Sequence, residues 1–295
     1  MRVVIAGSSG LIGTALKHSL HEGGHDVVAL VRRSPVGPHE SRWDPETGRI
    51  ETAVVAGADA VVNLAGASIG DRRLTPEYAE VARSSRVDST RTLTSALVHG
   101  GFAGVLIQGS SMGFYGDRGD EVLTEACGPG RTLLAGIVRD WESAAQPARD
   151  AGIPTATVRT GLVLAPHGGF ADRLLPLVRL GLLRSLGPGS AWHSWITLED
   201  HVRALRALID ARHDGIVNAV APRPARDVDL IRALSDAAGT RPGFLVPAWA
   251  LRIAVGPAIE DLLSSERGAP TVLRGLGFEW RHRTVEDAAR WVFAG

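Results

Sequence analysis

The chain has 295 residues, 44% of them hydrophobic and 22% charged, with 35 glycines and 16 prolines, a globular composition that excludes a disordered or collagen-like polypeptide. Its 32 basic and 32 acidic side chains cancel, so no basic excess marks nucleic acid or an anionic membrane as a partner. The single cysteine, Cys127, excludes an internal disulfide and a cysteine-based zinc box. The length suits one large domain or two unequal ones, because single cores stop growing near about 250–300 residues. The opening run Met1-Arg2-Val3-Val4-Ile5-Ala6 is too short for a signal peptide. No apolar run approaches the ~18 residues of a membrane span. A cytoplasmic protein is expected.

The first thirty residues form one unit. Arg2 to Ala6 is a β-branched run that predicts a buried parallel strand. The turn Gly7-Ser8-Ser9-Gly10-Leu11-Ile12-Gly13 follows it. Leu11 to His21 carries apolar residues near helical spacing and stops at Gly23-Gly24, and Asp26 to Val31 predicts a second strand. The alternation continues with strands over Ala60–Leu64, Gly104–Gln108 and Pro154–Arg159, and with helices over Pro76–His99 and Thr132–Ala151. Such alternation predicts an α/β fold, a doubly wound parallel sheet of the Rossmann type. Beyond Thr160 the texture changes. A helix over Ala171–Leu180, a strand and helix over Ser194–Arg212, a last sheet strand over Gly215–Val220 and an edge strand at Gly277-Phe278-Glu279-Trp280 are predicted. Residues 1–160 read as the nucleotide-binding domain, its sheet completed by about 196–222; residues 161–195 and 223–295 read as a smaller, mainly helical substrate-side domain.

Chemistry concentrates at the glycine turn. Gly7 permits a tight exit from the strand, Gly10 lets backbone approach a diphosphate, and Gly13 lets helix and loop pack closely. Free amides and the helix dipole then attract phosphate. Three glycines alone would be an ordinary loop; their place between first strand and first helix makes them a dinucleotide site. The second strand ends Val31-Arg32-Arg33, where an NAD site carries an acidic residue. A guanidinium forks onto a 2′-phosphate, so NADP(H) is expected, with Arg32 the first choice and Arg33 the second. Leu64, Ala65 and Gly66 end the next strand with small residues that suit the adenosine side. Ser110, Ser111 and Tyr115 fall at the carboxyl edge of the strand after that, where ligands of parallel sheets sit, and Ser110 is expected to touch the cofactor. Serines that merely satisfy strand-end backbone groups are an equal reading of that stretch.

Taken together, the chain resembles an extended short-chain dehydrogenase/reductase, and within that class the atypical subgroup labelled epimerase-family proteins. The likeness rests on the glycine turn, Val62-Asn63-Leu64-Ala65-Gly66, Ser85-Arg86-Val87 with Thr90-Arg91, Tyr115-Gly116, Trp141-Glu142, Arg159-Thr160-Gly161 with Val163, and Ser194-Trp195-Ile196 with Asp200. Asn218 to Pro222 and Gly277-Phe278 extend it over essentially the whole chain. The resemblance implies NADP(H) at the glycine turn and Arg32, with contacts from Leu64, Ala65 and Arg86, and with Val163 beside the nicotinamide. It also puts Ser111 in the place of the family's serine.

One departure bears on mechanism. The wider family uses a Tyr-x-x-x-Lys pair on the helix after the serine strand, and here those places are Leu134 and Val138. The only lysine is Lys17, in the first helix, and the only tyrosines are Tyr78 and Tyr115. Ser111 and Tyr115 are the catalytic candidates left, although an unassisted phenol near pKa ~10 is a poor base; a pocket-wall role suits Tyr115 better. Trp192, His193, Ser194 and Trp195 are candidates for the wall of a substrate pocket, with packing an equal alternative for the tryptophans.

Gly109-x-Ser111-x-Gly113 matches a nucleophile elbow, but the polar, glycine-broken stretch after it does not read as the helix that motif requires. His18, His21 and His25 read as solvated surface residues, so no metal is expected. Three readings result. The first is an NADP(H)-dependent oxidoreductase or epimerase with altered acid/base groups, acting on a small carbonyl or alcohol. The second is a non-catalytic NADP(H)-binding regulator that senses redox state. The third and weakest is a serine hydrolase. By analogy with the wider family, a homodimer would form through the helices 76–99 and 132–151.

Overall fold

A computed structural model of the chain describes residues 1–69, 75–169, 171–186, 188–241, 243–246 and 263–294. The opening unit comprises β1 (Arg2–Ala6), α1 (Leu11–Glu22) and β2 (Asp26–Val31). Next come β3 (Glu40–Asp44), β4 (Arg49–Ile50), α2 (Thr52–Ala56), β5 (Ala60–Asn63) and α3 (Pro76–His99). β6 (Val105–Ser111) leads through a 3-10 turn at Met112–Phe114 to β7 (Val122–Leu123), α4 (Leu133–Ser143), α5 (Gln146–Asp150) and β8 (Thr155–Thr160). The chain continues through β9 (Leu162–Leu164), α6 (Ala171–Arg179), β10 (Leu183–Leu186), β11 (Trp192–His193), β12 (Trp195–Thr197) and α7 (Leu198–Asp210). It ends in β13 (Gly215–Ala219), β14 (Ala225–Arg226), α8 (Asp227–Ala237), β15 (Phe244–Val246), β16 (Arg267–Gly268), α9 (Thr271–Gly275) and α10 (Val285–Ala294).

Eight strands form one sheet in the order β13-β8-β6-β5-β1-β2-β3-β4. Every neighbouring pair is parallel except the β3–β4 hairpin at one edge. Val3, Val4 and Ile5 of β1 are fully buried, as a parallel strand covered on both faces must be. Leu16 and Leu20 of α1 and Leu205 and Leu208 of α7 share one cluster with Ile5 and Val158. Leu93 and Leu97 of α3 cover the opposite face against Val4 and Leu106. A separate cluster joins α6, α8 and α10 around Trp195.

The sheet reverses its winding between β1 and β5, whose carboxyl ends lie side by side. That switch point opens the crevice in which doubly wound sheets bind ligands.

Two predicted elements differ. The helix expected over Thr132–Ala151 is two helices, because Pro147 in the first turn of α5 lacks the amide that continuity would need. Gly277–Trp280 is not a strand; Phe278 and Trp280 pack edge to face at 5.0 Å, and the Trp280 indole donates to the Val220 carbonyl at 3.0 Å. The β3–β4 hairpin carries no strong alternation in the sequence and is visible only in the structure.

Candidate functional site

The glycine turn occupies the switch point. Gly7 has φ +82°, and a Cβ there would stand 2.6 Å from the Leu64 carbonyl carbon, so only glycine lets the end of β1 touch the end of β5. A Cβ on Gly13 would stand 2.2 Å from the Gly7 carbonyl oxygen. Gly10 differs: its nearest neighbour would be the Gly7 oxygen at 3.6 Å, an ordinary contact. Its missing side chain therefore leaves room outside the fold rather than within it. Gly10 caps α1 with no side-chain hydrogen bond, and the first turn holds no acidic residue. The opening amides of α1, at Leu11, Ile12 and Gly13, lack intrahelical acceptors, and the dipole there favours an anion. Ser8 is buried and its carbonyl accepts from the Thr14 hydroxyl at 3.2 Å, which fixes the turn, while Ser9 is exposed. Leu11 closes one side, because a Cβ on Gly168 would meet its Cδ1 at 2.9 Å. The residues present fit a dinucleotide diphosphate.

At the end of β2, Val31 is half-buried and the two arginines beyond it part company. Arg33 forks onto Glu40 with bonds of 2.7 and 2.5 Å, and that pairing holds the Glu40 carboxyl below its ordinary range. Arg32 is exposed and has no hydrogen-bond or ion-pair partner among the described residues. Arg33 is thus occupied by Glu40, whereas Arg32 is not occupied by any described residue.

The β5 exit is held from beneath. The Asn63 amide donates to Thr90 and Gln108 at 3.0 Å each, and its oxygen accepts the Ala65 amide at 3.2 Å. Leu64 continues the ladder to the Ala6 carbonyl. Arg86 reaches up from α3, donates to the Ala67 and Ala82 carbonyls at 2.9 Å, and lies 5.1 Å from the Trp141 ring centroid. A Cβ on Gly66 would meet the Arg86 side chain at 2.9 Å. Burial lowers the Arg86 guanidinium to about 10, and its Nε has no partner among the described residues. Asn63 and Thr90 belong to motifs quoted above, yet their part in shaping this loop was not foreseen, since their partners lie 27 and 45 residues away.

At the end of β6 the candidates separate. Ser110, expected at the cofactor, is instead buried, faces α4 and donates to Glu142 at 2.5 Å, which corrects that expectation. Arg159 forks onto the same carboxylate at 2.9 Å through Nε and Nη2, and gives Nη1 to the Tyr115 hydroxyl at 2.8 Å. Tyr115 is fully buried, and its own proton goes to Asn218 at 2.8 Å or the Thr124 carbonyl at 3.0 Å. Burial raises its pKa above the ordinary phenol value. The expectation of Tyr115 as a proton donor or pocket wall is therefore corrected: its hydroxyl is spent in an internal network. Ser111 remains half-buried at the strand end, where its Oγ accepts the Gly113 amide at 3.2 Å. The three-residue 3-10 turn after it is not the helix of a nucleophile elbow. Val138 is buried in the apolar cluster around Met112 and Tyr115, with Leu134 packed against it.

The expected substrate wall is also divided. Trp195 is fully buried in the α6–α8–α10 core, and Ser194 is consumed by the Glu266 carbonyl and the Gly268 amide at 2.6 and 2.7 Å. Both are buried and engaged within the fold, which corrects that expectation for both. Trp192 and His193 stay half-buried. The Trp192 indole donates to Asp120 at 2.7 Å, with Arg226 and Arg267 at 4.2 and 4.8 Å from its ring. His193 Nε2 lies 3.2 Å from buried Asp227. Val163 pairs with Ile196 across β9 and β12. Beside Ser111, its register partner Thr160 lies 2.9 Å from Nε2 of fully buried His201.

Comparisons with known proteins agree with this architecture. The model of the NAD dependent epimerase/dehydratase family matches residues 3–219, and a domain of unknown function, DUF1731, matches 246–292. Epimerase family protein Mb2239 of Mycobacterium bovis is 39% identical over 288 residues, which is 97% of this chain and 95% of that protein. Epimerase family protein SDR39U1 of Homo sapiens is 31% identical, with both chains covered completely. The crystal structure of human SDR39U1 isoform 2 with NADPH superposes with a TM-score of 0.90 at 26% identity, covering 100% of this chain and 99% of that one. Family model, relatives and fold lead to one assignment: the chain belongs to the NAD dependent epimerase/dehydratase family.

Proposed function

We propose that this protein is a cytoplasmic NADP(H)-dependent oxidoreductase of the short-chain class, acting on a small carbonyl or alcohol substrate. One observation carries the cofactor choice: Arg33 is locked by Glu40 while Arg32, just past the end of β2, is exposed and has no partner among the described residues. The similar human protein solved with NADPH supports it. The glycine turn would hold the diphosphate, Arg32 the 2′-phosphate, Leu64, Ala65, Gly66 and Arg86 the adenosine side, and Val163 a wall of the nicotinamide. NADPH supplies a hydride. The chain's part is to orient the acceptor carbon and to handle the charge that gathers on its oxygen. Ser111 stands at the carboxyl edge for that purpose, with Trp192 and His193 on the substrate side. A homodimer would use the face of α3 and α4, where a groove of about 390 Å³ runs past exposed Leu133 and past Ile137.

A second reading has its own support. Leu134 and Val138 fill the places of the usual acid/base pair with packed apolar side chains, which suits a non-catalytic NADP(H)-binding regulator. Calorimetry with NADPH and NADH tests the reading common to both, and tighter NADPH binding is expected. NADPH consumption in the presence of a panel of small carbonyls then separates enzyme from regulator. Equal or tighter NADH binding would remove the role given to Arg32.

A further inference from the structure

Two hydroxyls stand side by side at the carboxyl edge of the sheet. Ser111 ends β6 and Thr160 ends β8, and they are register partners, so their backbones run about 4.8 Å apart. One residue earlier, Ser110 and Arg159 both reach Glu142 on α4. Side chains alternate along a strand, so Ser111 and Thr160 share the opposite face. Thr160 bears this out by meeting His201 of α7.

The hydrogen-bond inventory then decides which way each hydroxyl points. His201 is fully buried, and burial lowers its pKa to about 4, so the ring is neutral at neutral pH. Its Nδ1 is buried without a partner among the described residues. A buried orphan N–H is rarer and costlier than an orphan lone pair, so the ring proton sits on Nε2 and is donated to Thr160 Oγ at 2.9 Å. Thr160 is thereby an acceptor from His201, and its own proton needs another destination. Its one other contact among the described residues, the Val158 carbonyl at 3.5 Å, is too long to hold it. Ser111 is in the same position: it accepts the Gly113 amide at 3.2 Å, and its proton has no acceptor among the described residues.

Ser111 stands in the place of the family's serine, and we propose that Thr160 adds a second donor beside it, making a two-donor site for the oxygen of a substrate carbonyl, with His201 as the positioning residue that turns the Thr160 hydroxyl outward. This rests on the oxidoreductase reading above and supplies part of what Leu134 and Val138 cannot. A carbonyl oxygen has two lone pairs and accepts both bonds. When hydride from NADPH adds to the carbonyl carbon, the C=O π pair moves to oxygen, the two O–H donors stabilise the alkoxide, and a solvent proton completes the alcohol. NADPH becomes NADP+. Donors aimed at developing negative charge act mainly on kcat.

The test uses the full-length protein with bound NADPH and phenanthrenequinone as the probe carbonyl. Ser111→Ala and Thr160→Val are each expected to lower kcat by about a hundredfold to a thousandfold, with NADPH affinity unchanged. Ser111→Thr and Thr160→Ser should restore much of the loss. Isotope-edited NMR of the histidine rings, with the His201 signal assigned by its loss in His201→Gln, should show the proton on Nε2. A proton on Nδ1, or an unaltered kcat in Thr160→Val, overturns the two-donor site while leaving the oxidoreductase reading intact. A wild-type protein that binds NADPH yet reduces no carbonyl overturns both.

Discussion

Glu142 and Arg159 form a bidentate ion pair at 2.9 Å in which the arginine side chain is 2% exposed and the carboxylate 12%. Arg159 also lies with its guanidinium carbon 3.5 Å from the centroid of the Phe114 ring. The pair ties α4, β6, β8 and the turn after Ser111 together through Ser110 and Tyr115. Its Coulombic gain is largely offset by desolvation, but removal of one partner strands the other charge in the core.

Glu142→Ala is therefore expected to destabilise the fold by about 3–5 kcal/mol, read as a shift in the urea midpoint without a change in slope. Tyr115→Phe keeps the ring but leaves the Asn218 oxygen and Arg159 short of a partner, and should cost about 1–3 kcal/mol. Both changes should act on stability first. If Tyr115→Phe instead left stability untouched, the internal role of that hydroxyl would be wrong.

The two arginines after β2 should respond differently. Arg32→Ala removes the unpaired guanidinium and is expected to weaken NADPH about tenfold to a hundredfold, since a hydrogen bond to a charged group is worth about 1.5–3 kcal/mol. NADH, lacking the 2′-phosphate, should bind as before. Arg33→Ala should change NADPH affinity much less, because Arg33 is already engaged with Glu40. Fluorescence titration of each variant with the two coenzymes measures this. A larger loss in Arg33→Ala would reverse the assignment.

The three glycines separate folding from binding. Gly13→Ala drives a methyl to within 2.2 Å of the Gly7 carbonyl oxygen, so the loop must move and stability should fall with binding. Gly10→Ala meets only an ordinary 3.6 Å contact. Its fold should be as stable as the parent, or slightly more so from lower unfolded-state entropy, while the methyl projects where a diphosphate would lie. Loss of NADPH binding at an unchanged Tm is the expected result. Retained binding would move the diphosphate away from Gly10.

These cases show where the sequence was informative. The glycine turn was legible because strand, turn and helix are local, and its meaning depends on residues within one short stretch. The choice between Arg32 and Arg33 was half legible: the missing acidic residue is visible, but the partner that removes Arg33 is Glu40, seven positions on in an edge hairpin that leaves little pattern. Tyr115 misled because its position along β6 and the following turn suggests the sheet edge, whereas its fate is set by Asn218, 103 residues away. Ser194 and Trp195 misled for the same reason, being claimed by the 266–268 strap and the α8 core. Long-range partners, not local propensity, decided each of these.

His201 supplies a pH signature that local sequence could not. Burial lowers its pKa from 6.5 to about 4. The unfolded chain therefore binds a proton between those values while the folded chain does not, so stability rises with pH across that window and falls on acidification. By linkage the penalty is nil at neutral pH, about 2 kcal/mol at pH ~5, and approaches about 3 kcal/mol below the folded pKa. His201→Gln keeps a donor near Thr160 but cannot titrate. It should be less stable than the parent at neutral pH through imperfect packing, yet lose less stability on going to pH ~5. Urea denaturation of both proteins at the two pH values measures the difference. Parallel losses would mean that His201 is protonated in the folded protein, which would also make its ring a donor at both nitrogens.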